Sequence, residues 1–345
     1  MILNFRRGGA FANEKAKKYF KNKNPEDIKS VVVIRHAAIG DFVVMRPFLL
    51  ELKNFLPNAK ITLSVDSNAM YGMPDDLVDN IHIIDKMSKK DKSKKSTFFE
   101  RLKQVKELPH HDILFDLTDS SLTLLMVIFA NVDIKIGYSY RALRRLFYDL
   151  STLRSDFVLE TQSMLHQLNI IGANTKHYPL NYQLSTFKRD IKNPYIIYFA
   201  GASIKARCWG DNNFTDLISK MLIKYPNYKH VILKGIKDDE QFDDIYKPFI
   251  NVDNVLHQDS LPIKNIYDYL AQASLVVVGD TGIRNMAIAS NTPTIGLIFA
   301  EGVSPQKYLP KTKEHKVVFN TNYLKPSVDD VFNSTDTLLK NLYEK

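Results

Sequence analysis

Cysteine occurs once in the 345 residues, as Cys208, so no disulfide can close within the chain and no multi-cysteine metal cage can form. That scarcity fits a reducing compartment. No apolar run approaches the roughly 18 residues that a membrane-spanning helix needs, and the nearest, 122–130, is far too short. Residues 1–30 are polar and basic, without the apolar core of a secretory signal. These absences lead to the expectation of a soluble, cytoplasmic protein. Familiar nucleotide signatures are missing too: there is no Walker sequence, and no Gly-x-Gly-x-x-Gly follows an apolar run. Histidines adjoin only at His110-His111, no His-Glu-x-x-His occurs, and Asp116 with Asp119, or Asp238 with Asp239, lacks Asp-x-Asp spacing. Metal-dependent chemistry and resident cofactors are therefore not expected. No recognised nucleic-acid-binding motif is present either, so nucleic acid is not expected as a partner.

What is present suits a globular chain of two α/β domains. Hydrophobic residues make up 45% and aromatics 11%, enough for sizeable cores. Lysine and arginine exceed aspartate and glutamate by 47 minus 38, or +9. Such an excess suits anionic partners, including phosphorylated small molecules and anionic lipid surfaces, or else simply solvates the chain. Residues 1–28 read as an accessory basic arm, helical over 10–20. Strand-like runs follow at 31–34, 61–65, 81–84, 113–117 and 134–137, with helices after the first and at 122–129. A lysine- and serine-rich stretch at 86–95 reads as a surface loop. Turn chemistry and weak periodicity over 172–193 mark a boundary between domains 29–180 and 181–345. A second cycle has strands at 195–199, 231–233, 275–278 and 294–299, and helices at 213–225, 266–272, 284–289 and 328–343. The last of these is expected to pack back on the first domain. Alternating strands and helices joined by short loops predict two doubly wound domains facing a cleft.

Three strand-to-helix loops could carry chemistry. The first holds Arg35, His36, Gly40 and Asp41; glycine would permit a tight turn, and the carboxylate could meet a substrate at the sheet edge. The second, Gly201 to Gly210, combines small residues with Lys205 and Arg207, the donors and cations that a diphosphate requires. Trp209 reads as packing that loop against the next helix. In the third, Gly279 and Gly282 bracket Asp280 and Thr281 ahead of a helix. Backbone N–H groups and the helix dipole there would attract phosphate. A plain turn with Asp or Thr as its N-cap fits equally well.

Together these segments resemble glycosyltransferase family 9, the ADP-heptose:lipopolysaccharide heptosyltransferases. Ile34-Arg35-His36-Ala37-Ala38-Ile39-Gly40-Asp41-Phe42, with Pro47 and Leu49 in register, is similar to the family's first motif. Asp116 to Ser121 and Lys135 to Tyr138 resemble a second pair. Gly201-Ala-Ser203 through Arg207 and Trp209 resembles a third, and Asp280-Thr-Gly282 with Thr292-Pro293 a fourth. The resemblance implies a GT-B fold of two Rossmann-like domains and an inverting, metal-independent transfer. The sugar would pass from a nucleotide-sugar, ADP-heptose foremost, to a lipopolysaccharide or lipooligosaccharide core or lipid A-linked acceptor. It also implies a place at the inner face of the cytoplasmic membrane. Asp41 would be the general base, with Arg35 and Gly40 beside it on the acceptor side. Ser203, Thr281 and Gly282 would hold phosphate, Lys205 and Arg207 would clamp it, and Asp280 would share that loop. Glu240 would reach a ribose, and Arg141 and Arg144 phosphates on the acceptor. Arg207 stands where the family has lysine, Ala37 where it has serine, and Ile283-Arg284-Asn285 where it has Pro-x-His. Asn285 can still hydrogen-bond. These departures leave room for a transferase using another nucleotide-sugar, or for a family member that binds nucleotide or glycan without transferring sugar.

Overall fold

The computed structural model describes residues 10–68, 70–85, 96–138, 142–175, 180–202, 204–302 and 304–343. The chain divides into two compact units between Asn181 and Tyr182, inside the turn-rich 172–193 stretch. The N-terminal unit contains strands β1 (Phe11–Ala12), β2 (Ser30–Ile34), β3 (Lys60–Asp66), β4 (Asn80–Ile84), β5 (His111–Asp116), β6 (Val132–Tyr138) and β7 (Leu150–Thr152). Its helices are α1 (Glu14–Asn22), α2 (Ile39–Phe55), α3 (Phe98–Glu107), α4 (Ser121–Phe129), α5 (Ala142–Arg145) and α6 (Glu160–Asn169). The sheet runs β1-β7-β6-β5-β2-β3-β4. All its pairings are parallel except the β1–β7 edge, where Phe11 faces Ser151 and Ala12 faces Leu150. Parallel strands are covered on both faces, so they are continuous apolar runs: Val31 to Ile34 and Ile113 to Phe115 are wholly buried.

The C-terminal unit contains β8 (Tyr195–Phe199), β9 (Lys229–Leu233), β10 (Val255–Gln258), β11 (Leu275–Gly279), β12 (Thr294–Ile298) and β13 (His315–Phe319). Between and after them come α7 (Asp211–Lys224), α8 (Asp243–Tyr246), α9 (Ile263–Gln272), α10 (Gly282–Ala289) and α11 (Val328–Tyr343). Its sheet is parallel throughout in the order β10-β9-β8-β11-β12-β13. Counted from β8 and from β2, both units follow the doubly wound, Rossmann-like order 3-2-1-4-5-6. In such sheets ligands bind past the strand ends where the order reverses. Those points lie between β2 and β5 in one unit and between β8 and β11 in the other.

The segment before β2 joins the N-terminal sheet from Phe11 onward. Asn13 caps α1 by accepting from the Ala16 N–H at 2.9 Å, and its amide donates to Asp149 at 3.0 Å. Lys23 then donates to Asp112 at 3.0 Å, whose other oxygen accepts the N–H groups of Lys29 and Ser30. The last helix, α11, packs on α7, β12 and β13 of its own unit. Val331, Leu338 and Leu339 join that core, each such burial contributing roughly 2 kcal/mol. The helix closes there because Tyr225 donates to Asp336 at 2.7 Å and Tyr343 to the Ser274 carbonyl at 2.9 Å.

Candidate active site

At the N-terminal switch point, β2 ends at Ile34 and the chain enters α2 after an extended Ala38. Asp41 stands in the first turn of α2, where the helix dipole favours a carboxylate. Its side chain is 29% exposed, and its Oδ1 accepts from Arg35 Nη2 at 2.9 Å. Arg35 is 2% exposed and also donates to the Leu117 carbonyl. Behind it lies Glu160, fully buried, 3.5 Å from Nη1 and Nη2. Arg154 completes the row, donating to Glu160 at 2.6 and 3.2 Å and to the Thr118 carbonyl at 3.1 Å. Burial penalises the Arg35 charge, but Asp41 and Glu160 outweigh it and hold the pKa above its ordinary value. Carboxylate and guanidinium thus alternate along the row Asp41, Arg35, Glu160, Arg154, with Arg35 and Glu160 the most deeply buried. Packing of α6 on α2 makes this possible, since Thr161 donates to the Val44 carbonyl at 2.9 Å and brings Glu160 under the loop.

The loop after β5 lies beside it. Asp116 accepts the N–H groups of Thr118 and Asp119 at 3.0 Å and the Tyr148 hydroxyl at 2.8 Å. Burial nonetheless pushes its carboxyl up. A side chain on Gly137 would overlap the Tyr148 ring, which explains glycine in the Ile-Gly-Tyr segment. Thr118 donates through Oγ1 toward the Ile34 carbonyl and accepts the His36 N–H, tying the two loops together.

At the C-terminal switch point, β8 and β11 are neighbours, so the 200–210 and 280–282 loops meet. Arg207, in a 3-10 turn (Lys205–Arg207), donates to Asp280 Oδ2 at 3.0 Å. Asp280 therefore holds the loop rather than confronting a phosphate bare. Thr281 occupies the N-cap of α10, yet its hydroxyl makes no capping bond, and Oγ1 is buried without a partner. Gly282 opens the helix. From β9, Glu240 folds back between the loops: a Cβ on Gly235 would overlap its side chain, and one on Gly201 would stand 3.1 Å from Oε1. Lys237 donates to that carboxylate at 2.9 Å, and the contact raises the lysine's pKa despite its partial burial. Trp209 is buried, donates to the Pro326 carbonyl at 2.8 Å and meets Phe214 edge-on at 5.1 Å, so it packs the loop onto α7.

Comparison with known proteins decides the family. The family model described as glycosyltransferase family 9 (heptosyltransferase) matches residues 100–334, more than half of the chain. This chain belongs to glycosyltransferase family 9. It is 22% identical over 290 residues to lipopolysaccharide heptosyltransferase 3 of Escherichia coli, covering 76% of this chain and 81% of that one. Its fold is similar to E. coli heptosyltransferase WaaC with ADP-2-deoxy-2-fluoro heptose, at a TM-score of 0.70 and 15% identity over 91% of this chain and 99% of that one. It is similar also to E. coli ADP-heptose lps heptosyltransferase II, at a TM-score of 0.65 and 17% identity over 91% and 99%. The family match begins after the Asp41 loop, so that loop stands on its own geometry.

Within this glycosyltransferase, the structure brings Arg35 and Asp41 together at the switch point of the N-terminal unit, and Arg207, Glu240, Asp280, Thr281 and Gly282 around that of the C-terminal unit. Gly40 is helical, in the first turn of α2, and so supplies no left-handed turn. Arg144 is buried and paired with Asp119, where its charge clamps the loop after β5. Lys205 is exposed and Asn285 half-buried on α10. Ser203, Arg141 and the 86–95 stretch lie outside the described residues. Sequence reasoning missed Glu160, Arg154 and Arg284. Only Arg284 carried a signal, a charge at the i, i+3, i+4 spacing of the buried residues Ala287 and Ile288. Among the described residues no helix is long and apolar enough to cross a membrane.

Proposed function

We propose that this family 9 glycosyltransferase moves heptose from ADP-heptose to a sugar hydroxyl of a lipopolysaccharide or lipooligosaccharide core, inverting the anomeric carbon without a metal. The observation that carries the reading is Asp41, a partly exposed carboxylate at a switch-point edge whose Oδ1 is fixed by a buried arginine. The acceptor oxygen bonds to the anomeric carbon as the carbon–oxygen bond to the diphosphate breaks. Its proton passes to Asp41, with Oδ2 as the receiving oxygen since Arg35 holds Oδ1, and ADP leaves with the bonding pair. Leaving-group charge meets the Thr281–Gly282 helix end, where preorganised donors act most strongly in the transition state. Glu240, between Gly201 and Gly235, is the ribose acceptor in this reading. Likeness to WaaC with ADP-2-deoxy-2-fluoro heptose and to E. coli ADP-heptose lps heptosyltransferase II supports the donor, and likeness to E. coli lipopolysaccharide heptosyltransferase 3 supports the acceptor. The charge of +9 suits peripheral contact with the anionic inner face of the cytoplasmic membrane, where a lipid A-linked acceptor sits.

Replacing Asp41 by asparagine tests the base. Transfer should fall by about 10²–10⁴-fold while ADP still binds; near-normal turnover would remove Asp41 from this role. Chelators should leave transfer intact, and inhibition by EDTA reversed by Mg²⁺ would refute the metal-free mechanism. A screen of nucleotide-sugars against truncated core acceptors, read by mass spectrometry, tests the donor.

A further inference from the structure

Arg284 is the third residue of α10, and its side chain is 1% exposed. Strand β12 makes room for it with Gly296, where a Cβ would stand 3.2 Å from both Cδ and Nε of the arginine. Glycine weakens a strand interior, so its presence there marks a site shaped around this side chain. Neither Nη1 nor Nη2 has a hydrogen-bond partner among the described residues. The carboxylate in ion-pair range is Asp280, whose Oδ1 is 3.7 Å from Nη1 and whose Oδ2 already accepts from Arg207 at 3.0 Å. The residue after Asp280 is Thr281, at the N-cap and positive end of α10, and its Oγ1 is buried with no hydrogen-bond partner among the described residues. Two guanidiniums thus face a single carboxylate just ahead of a helix N-terminus. A buried charge without full compensation works against folding. Such costly arrangements of buried charge cluster at functional sites.

We propose that Arg284 is the diphosphate-binding cation of the donor site, with Thr281 Oγ1 as its hydroxyl partner, and that Arg207 serves to hold Asp280. The guanidinium fork matches two oxygens of a phosphate. This deepens the donor reading above, on which it rests, by moving the charge from the motif arginine to one outside the motif. Burial lowers the Arg284 pKa, against the pull of Asp280, and an incoming phosphate would relieve that penalty.

The test uses the full-length protein and its Arg284→Met and Arg284→Lys variants, with inorganic pyrophosphate as the calorimetric probe and melting of the ligand-free proteins alongside. Wild type should bind pyrophosphate. Arg284→Met should bind it about tenfold or more weakly, as expected for loss of charged hydrogen bonds, with an unchanged or higher melting temperature. Arg284→Lys, which keeps the charge without the fork, should fall between. Unaltered pyrophosphate binding in Arg284→Met, or no binding by wild type, overturns the proposal. So does lost binding with a depressed melting temperature in both variants, which would make the arginine a packing element. Pyrophosphate carries neither base nor sugar, so binding through Arg284 without heptose transfer would refute the donor reading and leave this inference standing.

Discussion

A guanidinium as deeply enclosed as that of Arg35 is stable only while carboxylates surround it. Removing one partner of a buried pair costs far more than the pair contributes. Glu160→Gln is accordingly expected to destabilise the N-terminal unit by about 3 kcal/mol, measured by urea unfolding, because both Arg35 and Arg154 lose their shared counter-ion. In the folded fraction, kcat should fall more than KM rises, since Arg35 would orient Asp41 less well. An unchanged kcat would reduce Glu160 to a stability residue. Asp41 was legible in the sequence because it sits in one continuous strand–loop–helix with Arg35. Glu160 was not, because it is 125 residues from Arg35 and its contact exists only once α6 packs on α2. Arg144 is the converse case: a basic residue whose partner, Asp119, lies 25 residues away and is not legible from spacing.

At the scale of elements, the central parallel strands were readable because burial on both faces demands unbroken apolar runs. Strands β1, β7 and β10 span two to four residues, too short for a period to register. Their places are set by neighbours, as where β1 adds to β7. Tertiary anchoring also explains α1, a nine-residue helix too short to persist alone. Asn13→Ala removes its cap and the link to Asp149, and should cost about 1–2 kcal/mol by chemical denaturation. No loss would return this segment to the status of a loose arm.

For the molecule as a whole, two histidines make stability depend on acidity. Burial lowers His230 and His315 from 6.5 to about 4. His230 accepts from the Tyr198 hydroxyl at 2.9 Å, and its other ring nitrogen is 3.3 Å from the Tyr225 carbonyl, an arrangement satisfied by the neutral ring. The unfolded chain takes up protons first, so this contribution is complete above pH 6.5 and is lost as pH falls toward about 4. Each histidine should remove on the order of 1 kcal/mol per pH unit within that window. Trp209 is the one tryptophan and lies in the C-terminal core, so its fluorescence during urea unfolding at pH 7 and pH 5 reports this unit. A midpoint that does not drop at pH 5 would show that both rings remain satisfied when protonated.

The sequence by itself determined the strand–helix alternation, the loops that hold Asp41, Arg207 and Asp280, and the motifs shared with family 9, because these are local patterns of burial period and contiguous residues. Strand order does not follow from local pattern, and only the tertiary structure made β8 the neighbour of β11, joining loops some eighty residues apart. It alone decided which charges are spent and which are kept. Arg207 and Arg144 are neutralised by Asp280 and Asp119, whereas Arg284 is buried over Gly296 with neither terminal nitrogen hydrogen-bonded among the described residues and Asp280 3.7 Å away. Charge is written in the sequence, but compensation is a matter of distance, and distance belongs to the fold.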